Sequence, residues 1–185
     1  CYVLGLEDDA ELTLIDTGFP TDETRSELER VLADIGIEFA DIDRILLTHW
    51  HGDHAGLAAD IQAASGCSVH VHVDDAPLVD GSEATQDMDD PAFRDTLTAW
   101  GMPPQKQTEL AEFIDASAAA YARPTVETFT DGDRFDIGSV ELEAVHLPGH
   151  TVGLCGFAFD GRDGRELFSA DALLPYYTPN VGGAA

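Results

Sequence analysis

The segment Leu46–Gly56, LLTHWHGDHAG, places four metal-binding side chains within six residues, directly after a short apolar run. These side chains are His49, His51, Asp53 and His54. Solvated loops normally use Ser, Asn and Gly as their polar residues, so imidazoles and carboxylates at this density indicate a metal site. In an extended turn, residues two apart point the same way. The spacing therefore predicts that the first two histidines hold one ion and that the other two residues face a second.

A two-metal site needs further ligands, because two ions about 3.5–4 Å apart share a compact ligand set that keeps a position open for water. Two downstream segments, HLPGHTVG and LFSAD, offer ligands at strand ends. His150 lies in the turn of the first, and Asp171 ends the second. His146 is the alternative to His150, but it lies within the predicted strand, which favours His150. The alternating His70 and His72 of VHVHV are interpreted as packed or solvated strand residues.

Short apolar runs alternate with segments of helical periodicity, which predicts one α/β domain over residues 1–185. Two strands at 2–6 and 11–15 are expected to form a hairpin. The further predicted strands are 44–47, 68–73, 125–130, 134–137, 140–146, 154–159 and 166–169. The predicted helices are 21–35, 54–65, 92–100 and 105–122, of which the last two form a helical insertion at about 74–124.

The chain carries 36 acidic and 9 basic residues, for a formal net charge of −27. Such a charge repels phosphate backbones and anionic lipid, so we expect a small-molecule substrate and neither nucleic acid nor membrane as a partner. The acids are spread along the chain, as on the acidic surfaces of proteins from salt-loving microbes, where salt screens self-repulsion. The three cysteines lie far apart and form no CxxC pair, which favours a reducing cytoplasm.

The motifs THWHGDHAG, with DTG before it and LPGHTVG and FSAD after it, resemble those of the metallo-β-lactamase superfamily. The resemblance covers essentially the whole chain, with the motifs in the family's order. It implies an αββα sandwich with two divalent metal ions at one edge, between the two sheets. It also implies zinc, with iron or manganese as alternatives. Within the superfamily, the chain is most similar to the glyoxalase II-like hydrolases.

The resemblance assigns a role to particular residues of this chain. The implied metal ligands are His49, His51 and His150 for the first ion, Asp53 and His54 for the second, and Asp171 as a bridge between both. Asp16, in the DTG motif, would orient the ligand loop from behind. LLPYYTPN resembles the segment that lines the substrate pocket, which implies contacts from Tyr176, Tyr177 and Thr178. An ordinary loop with aromatic packing is the alternative for these three residues.

The sequence departs from the family's pattern downstream of Asp171. The family supplies one further histidine to the second metal there, whereas no histidine follows His150 in this sequence. The family also has residues before the position of Cys1. We therefore expect a piece of a longer protein, lacking its extreme N-terminus and C-terminal part, with an incomplete second metal site.

These residues predict a metal-dependent hydrolase in which a metal-bound hydroxide attacks an ester-like carbonyl. Asp53 would receive and return the proton. A thioester or a lactone suits this reaction, because the leaving group of either needs little stabilisation. One alternative is a mononuclear iron sulfur dioxygenase that uses a trio such as His51, His150 and Asp171. Others are a small-molecule phosphodiesterase and a purely structural metal.

Overall fold

In the computed structural model, two β-sheets face each other. The structure describes residues 1–7, 9–83, 90–119, 122–176 and 178, and over 113–119 it describes the backbone alone. The first sheet has the strand order β1-β2-β3-β4-β5, and the second has the order β6-β7-β8-β9. The strands are β1 (Tyr2–Leu4), β2 (Thr13–Ile15), β3 (Arg44–Leu46), β4 (Ser68–His72), β5 (Glu127–Phe129), β6 (Arg134–Ile137), β7 (Val140–His146), β8 (Cys155–Gly161) and β9 (Gly164–Phe168).

The pairing of the strands places several carboxyl ends at one edge of the sandwich. In the first sheet, β1 runs antiparallel to β2, while β2, β3, β4 and β5 are parallel. The second sheet is antiparallel throughout. In parallel sheets, ligands bind outside the carboxyl ends of the strands, so this edge is where a functional site is expected.

Successive side chains along the strands of the first sheet point to opposite faces, which divides the core into two layers. Leu14 and Ile45 pack with the helices on the outer face of the sheet. Their neighbours Ile15 and Leu46 pack against the second sheet, in a cluster that includes Phe157. Because successive side chains of a strand point to opposite faces, these short strands are buried on both sides. The sequence of these strands therefore shows continuous apolar runs and no alternation of apolar with polar residues.

The helices pack mainly on the first sheet and within its connections. They are α1 (Asp22–Ala33), α2 (Gly52–Ala55), α3 (Ala58–Ser65), α4 (Ala76–Asp80), α5 (Pro91–Ala99) and α6 (Pro104–Ala119), with short 3₁₀ turns at Phe39–Asp41 and Ala170–Ala172. Thr21 caps α1, since its hydroxyl accepts a hydrogen bond from the backbone N–H of Thr24 at 3.1 Å. The predicted α/β class and its two-sheet sandwich are confirmed.

The second sheet presents charged residues on part of its outer face. Arg134 pairs with Glu141 and with Glu143, and Arg165 also pairs with Glu143. Exposed ion pairs of this kind contribute little to stability. Among the described residues, no helix is long and apolar enough to cross a membrane.

The single helix predicted over 54–65 is wrong, because the chain forms α2 and α3 instead. The backbone carbonyl of His54 accepts hydrogen bonds from the N–H of Thr17 at 2.7 Å and from its hydroxyl at 2.9 Å. Because this carbonyl bonds the DTG loop, the first helix ends at Ala55 and the second helix begins after Leu57. The helix α4 was not predicted, and residues 120 and 121 of the predicted helix 105–122 lie outside the described residues.

Candidate metal centre

Residues from both sheets converge at one edge of the sandwich. Asp16 follows β2, and the segment 48–54 follows β3. From the second sheet, His150 lies in the loop after β7, and Asp171 lies in the 3₁₀ turn after β9. The site is thus built from loops that only the facing of the two sheets brings together.

Three imidazole nitrogens converge at this site, and two of them lie within hydrogen-bonding distance of the third. Nδ1 of His51 lies 3.0 Å from Nε2 of His49 and 2.9 Å from Nε2 of His150. A neutral imidazole has one donor and one acceptor nitrogen, so neutral rings satisfy these contacts poorly by themselves. Tetrahedral zinc with Zn–N bonds of 2.0–2.1 Å separates its ligand nitrogens by about 3.3 Å. The three nitrogens therefore fit a divalent cation with little movement.

Burial favours the neutral form of two of these rings, which is the form that binds metal. Burial lowers the pKa of His51 to about 4, with a further lowering from the neighbouring His150. The pKa of His49 is lowered further, first by burial and then by the three other histidines of the cluster. Both rings therefore keep a free lone pair at neutral pH.

Asp171 lies between the two halves of the cluster, which are the group of His49, His51 and His150 on one side and His54 on the other. Its Oδ2 atom is 3.4 Å from Nε2 of His150, and its Oδ1 atom is 3.5 Å from Nε2 of His54. His49, His54 and Asp171 form a second group whose ligand atoms lie within 4.8 Å of one another, beside the group of His49, His51 and His150. This carboxylate thus faces both candidate ion positions.

Asp16 lies behind the ligands rather than among them. Its Oδ2 atom accepts a hydrogen bond from Nδ1 of His54 at 2.8 Å, which leaves Nε2 of that ring free to bind metal. Its Oδ1 atom accepts the backbone N–H of Thr48 at 2.9 Å. Burial lowers the pKa of His54, but the hydrogen bond and charge of Asp16 outweigh it, with help from Asp53 and Asp171, so the net shift is upward.

Asp53 lies at the rim of the centre. Its Oδ2 atom is 3.6 Å from Nε2 of His54, and its side chain is 55% exposed. It belongs to neither group of converging ligand atoms, so its roles as second-metal ligand and proton acceptor stay predictions. Of the pocket residues predicted downstream, Tyr176 and Thr178 are exposed, and Tyr177 lies outside the described residues.

The alternative ligand His146 lies outside the cluster described above. Its ring stacks on that of His72, with ring centroids 4.2 Å apart and planes 14° from parallel. Its Nε2 atom donates to the carbonyl oxygen of Val152 at 2.8 Å. These two histidines and Asp74 have ligand atoms within 4.8 Å of one another. However, stacked parallel rings direct their lone pairs side by side and not towards a common point, so this group does not chelate as it stands.

Two residues of the centre were missed by sequence reasoning. The hydroxyl of Thr48 lies 3.0 Å from Nδ1 of His49, and Asp75 hydrogen-bonds two ligand loops at once. The position of Thr48, directly before the first histidine of the motif, was a weak indication in the sequence that it contacts the centre. Asp75 gave no such indication, because it is one of 36 acidic residues and only its burial sets it apart.

Comparison with known proteins places this arrangement in a family. A sequence model described as the metallo-beta-lactamase superfamily matches residues 1–184. The probable metallo-hydrolase YqjP of Bacillus subtilis is 32% identical over 171 residues, which cover 91% of this chain and 51% of YqjP. A hydroxyacylglutathione hydrolase of Ruegeria pomeroyi is 39% identical over 62 residues, 33% of this chain and 24% of that protein.

The solved structures agree. The metallo-beta-lactamase family protein TTHA1429 of Thermus thermophilus has a TM-score of 0.77 and 27% identity, covering 97% of this chain and 56% of that one. The chain thus spans about half the length of YqjP and of TTHA1429. With the family model matching residues 1–184, the chain belongs to the metallo-β-lactamase superfamily.

Proposed function

We propose that this chain is a metal-dependent hydrolase that cleaves a small ester-like substrate, a thioester or a lactone, in the manner of glyoxalase II. The observation that carries the proposal is the convergence of His49, His51 and His150 on one point, with Asp171 reaching from there to His54. The partial similarity to a hydroxyacylglutathione hydrolase supports the thioester class.

When bound, divalent metal ions lower the pKa of a coordinated water towards neutrality and polarise a carbonyl oxygen. His49, His51 and His150 would hold one ion, and His54 with Asp53 the other. Asp171 would fix the spacing between the two, since one of its oxygens faces each half.

The exposed Asp53 is the proposed proton acceptor. Its carboxylate lies at the rim of the centre, beside Nε2 of His54, where it is exposed to solvent. From there it would take the proton released by the attacking water and return it to the leaving group. A thiolate or alkoxide leaving group needs only this one proton. The net charge of −27 also supports a small substrate over a nucleic acid.

Metal content and turnover, measured together on the purified chain, test the proposal. The chain is loaded with Zn²⁺ and offered a panel of glutathione thioesters, lactones and an aryl phosphodiester. We expect hydrolysis of a thioester or lactone that a chelator abolishes and Zn²⁺ restores. Bound iron with oxygen consumption would instead indicate the sulfur dioxygenase alternative, and turnover of the phosphodiester alone would indicate the phosphodiesterase.

A further inference from the structure

Asp75 is a buried carboxylate to which the proposed reaction gives no role. It lies three residues beyond β4 and is only 1% exposed. Its Oδ2 atom accepts hydrogen bonds from the backbone N–H of Trp50 at 3.1 Å and from the hydroxyl of Thr151 at 2.8 Å. Its Oδ1 atom accepts the backbone N–H of Gly153 at 2.7 Å. Three donors thus converge on one acceptor group.

The three donors belong to the two loops that carry the histidine ligands. Trp50 lies between His49 and His51, in the loop after β3 of the first sheet. Thr151 directly follows His150, in the loop after β7 of the second sheet. One carboxylate therefore connects, across the sandwich, the two loops whose histidine nitrogens lie 2.9 Å apart.

The packing at Gly153 shows how closely the second loop approaches this carboxylate. A Cβ atom at position 153 would lie 2.6 Å from Oδ1 of Asp75 and 2.7 Å from its backbone nitrogen. Such distances are too short for a side chain, and the backbone atom cannot swing away. Space, and not an unusual backbone conformation, therefore requires glycine here.

A buried acid is retained where its hydrogen bonds compensate for lost solvation. Burial raises the pKa of Asp75, and the hydrogen bonds from Thr151, Gly153 and Trp50 act against that rise. Because two of the three donors are backbone N–H groups, which cannot accept, an acceptor-only carboxylate matches them best.

We propose that Asp75 is a positioning residue of the metal centre, whose carboxylate fixes the two ligand loops so that His51 and His150 meet at the same ion. The inference rests on the proposed function for the presence of that ion. Asp16 serves the other half, since it contacts Thr48 and His54. Asp16 thus bonds the ring of His54 directly and reaches His49 only through the hydroxyl of Thr48, whereas Asp75 bonds the loops of His51 and His150.

The substitution Asp75→Asn tests the role with little change of shape. The amide nitrogen must face either Gly153 or Trp50, so one backbone N–H loses its acceptor in either orientation. Loss of such a supporting group typically weakens metal binding 10–100-fold. We expect that loss in titrations with Co²⁺, together with an altered visible spectrum of the bound ion. The control is Asp43→Asn, at the amino end of β3, whose carboxylate accepts only the N–H of Leu12 among the hydrogen bonds described.

A second pair of variants keeps the test decisive if Asp75→Asn does not fold. Thr151→Val removes only the hydroxyl that donates to Asp75, whereas Thr151→Ser keeps it. We expect the valine variant to bind Co²⁺ several-fold more weakly, with the serine variant restoring the affinity and the spectrum of the unaltered chain.

The outcomes separate this inference from the proposed function. If the unaltered chain binds no Co²⁺, the metal centre and the inference both fail. If it binds Co²⁺ and folded Asp75→Asn matches it in affinity and spectrum, the inference alone is overturned. Equal losses in Thr151→Val and Thr151→Ser overturn it too, because the hydroxyl would then have no part in the effect.

Discussion

Asp16 and His54 form a hydrogen bond of 2.8 Å between Oδ2 and Nδ1, although they are 38 positions apart in the sequence. The ring nitrogen donates, because the carboxylate can only accept. The bond sets the tautomer of His54 and directs Nε2 towards Asp171 and Asp53. The DTG motif thus acts on the metal centre through a histidine that it does not neighbour in the chain.

Replacing Asp16 tests that relationship. We expect Asp16→Asn to weaken the ion held by His54 and Asp171 by about 10–100-fold, because the amide no longer fixes the tautomer of the ring. Binding of the ion held by His49, His51 and His150 should change much less. Isothermal titration of the metal-free chain with Zn²⁺ resolves the two events. An unchanged second event would contradict the role given to Asp16.

The choice between the two histidines near β7 has a direct test. We expect His150→Ala to lose the more tightly held metal ion, because Nε2 of His150 is one of the three converging nitrogens. His146→Ala is the matched control, since that ring stacks on His72 and bonds Val152. Elemental analysis of both purified variants measures the difference. The assignment is wrong if the His150 variant keeps its metal or if the His146 variant loses it.

Asp171 is predicted to be essential for turnover and dispensable for folding. Its side chain is about one-quarter exposed (24%) and faces two histidines. We expect Asp171→Ala to lower hydrolysis by at least about 100-fold, because the variant would lack the proposed bridge between the two ions. Its free energy of unfolding in the metal-free state should change by less than about 1 kcal/mol. Near-normal turnover by a folded variant would rule out the bridging role.

The stability of the metal-free chain should fall as the pH is lowered below neutrality. The pKa of His51 is about 4 in the folded chain, against 6.5 for a free histidine. Between these values the unfolded chain binds the proton and the folded chain does not, so the free energy of unfolding decreases with falling pH. The raised pKa of His54 acts the other way, adding stability below 6.5 that is lost as the pH rises through its folded value.

Urea unfolding at neutral pH and at about pH 5, above the range of most carboxylates, measures this effect. We expect His51 to contribute a loss on the order of 1 kcal/mol over that interval. The variant His51→Gln, which has no ring to protonate, should show a correspondingly smaller loss. Equal losses in the two proteins would show that other groups cause the pH dependence.

The sequence predicted the central strands of the first sheet because β2 and β3 are buried on both faces. Apolar runs such as the one ending at Leu46 mark such strands without any knowledge of their partners. The break between α2 and α3 was not predictable in this way. It depends on Thr17 taking the carbonyl of His54 across 37 residues, and nothing in the local periodicity reports such a contact.

The convergence of the candidate ligands was predictable for a different reason. Histidines in a dense motif or a Pro-Gly turn carry a signal of their own. The structure brings His49 and His51 of the motif together with His150 of the turn. The supporting carboxylate of Asp75 carries no such signal. Its importance depends on 1% exposure and three converging donors, and both properties arise only when the sheets meet.

The separation of 99 positions between His51 and His150 also bears on how the protein folds. Contacts this distant in sequence require the loss of much chain entropy before they form, so they tend to slow folding. The cluster of nitrogens is complete only after the second sheet has docked on the first. A metal ion that needs the complete cluster therefore binds late in folding, slows unfolding and leaves the early folding rate unchanged.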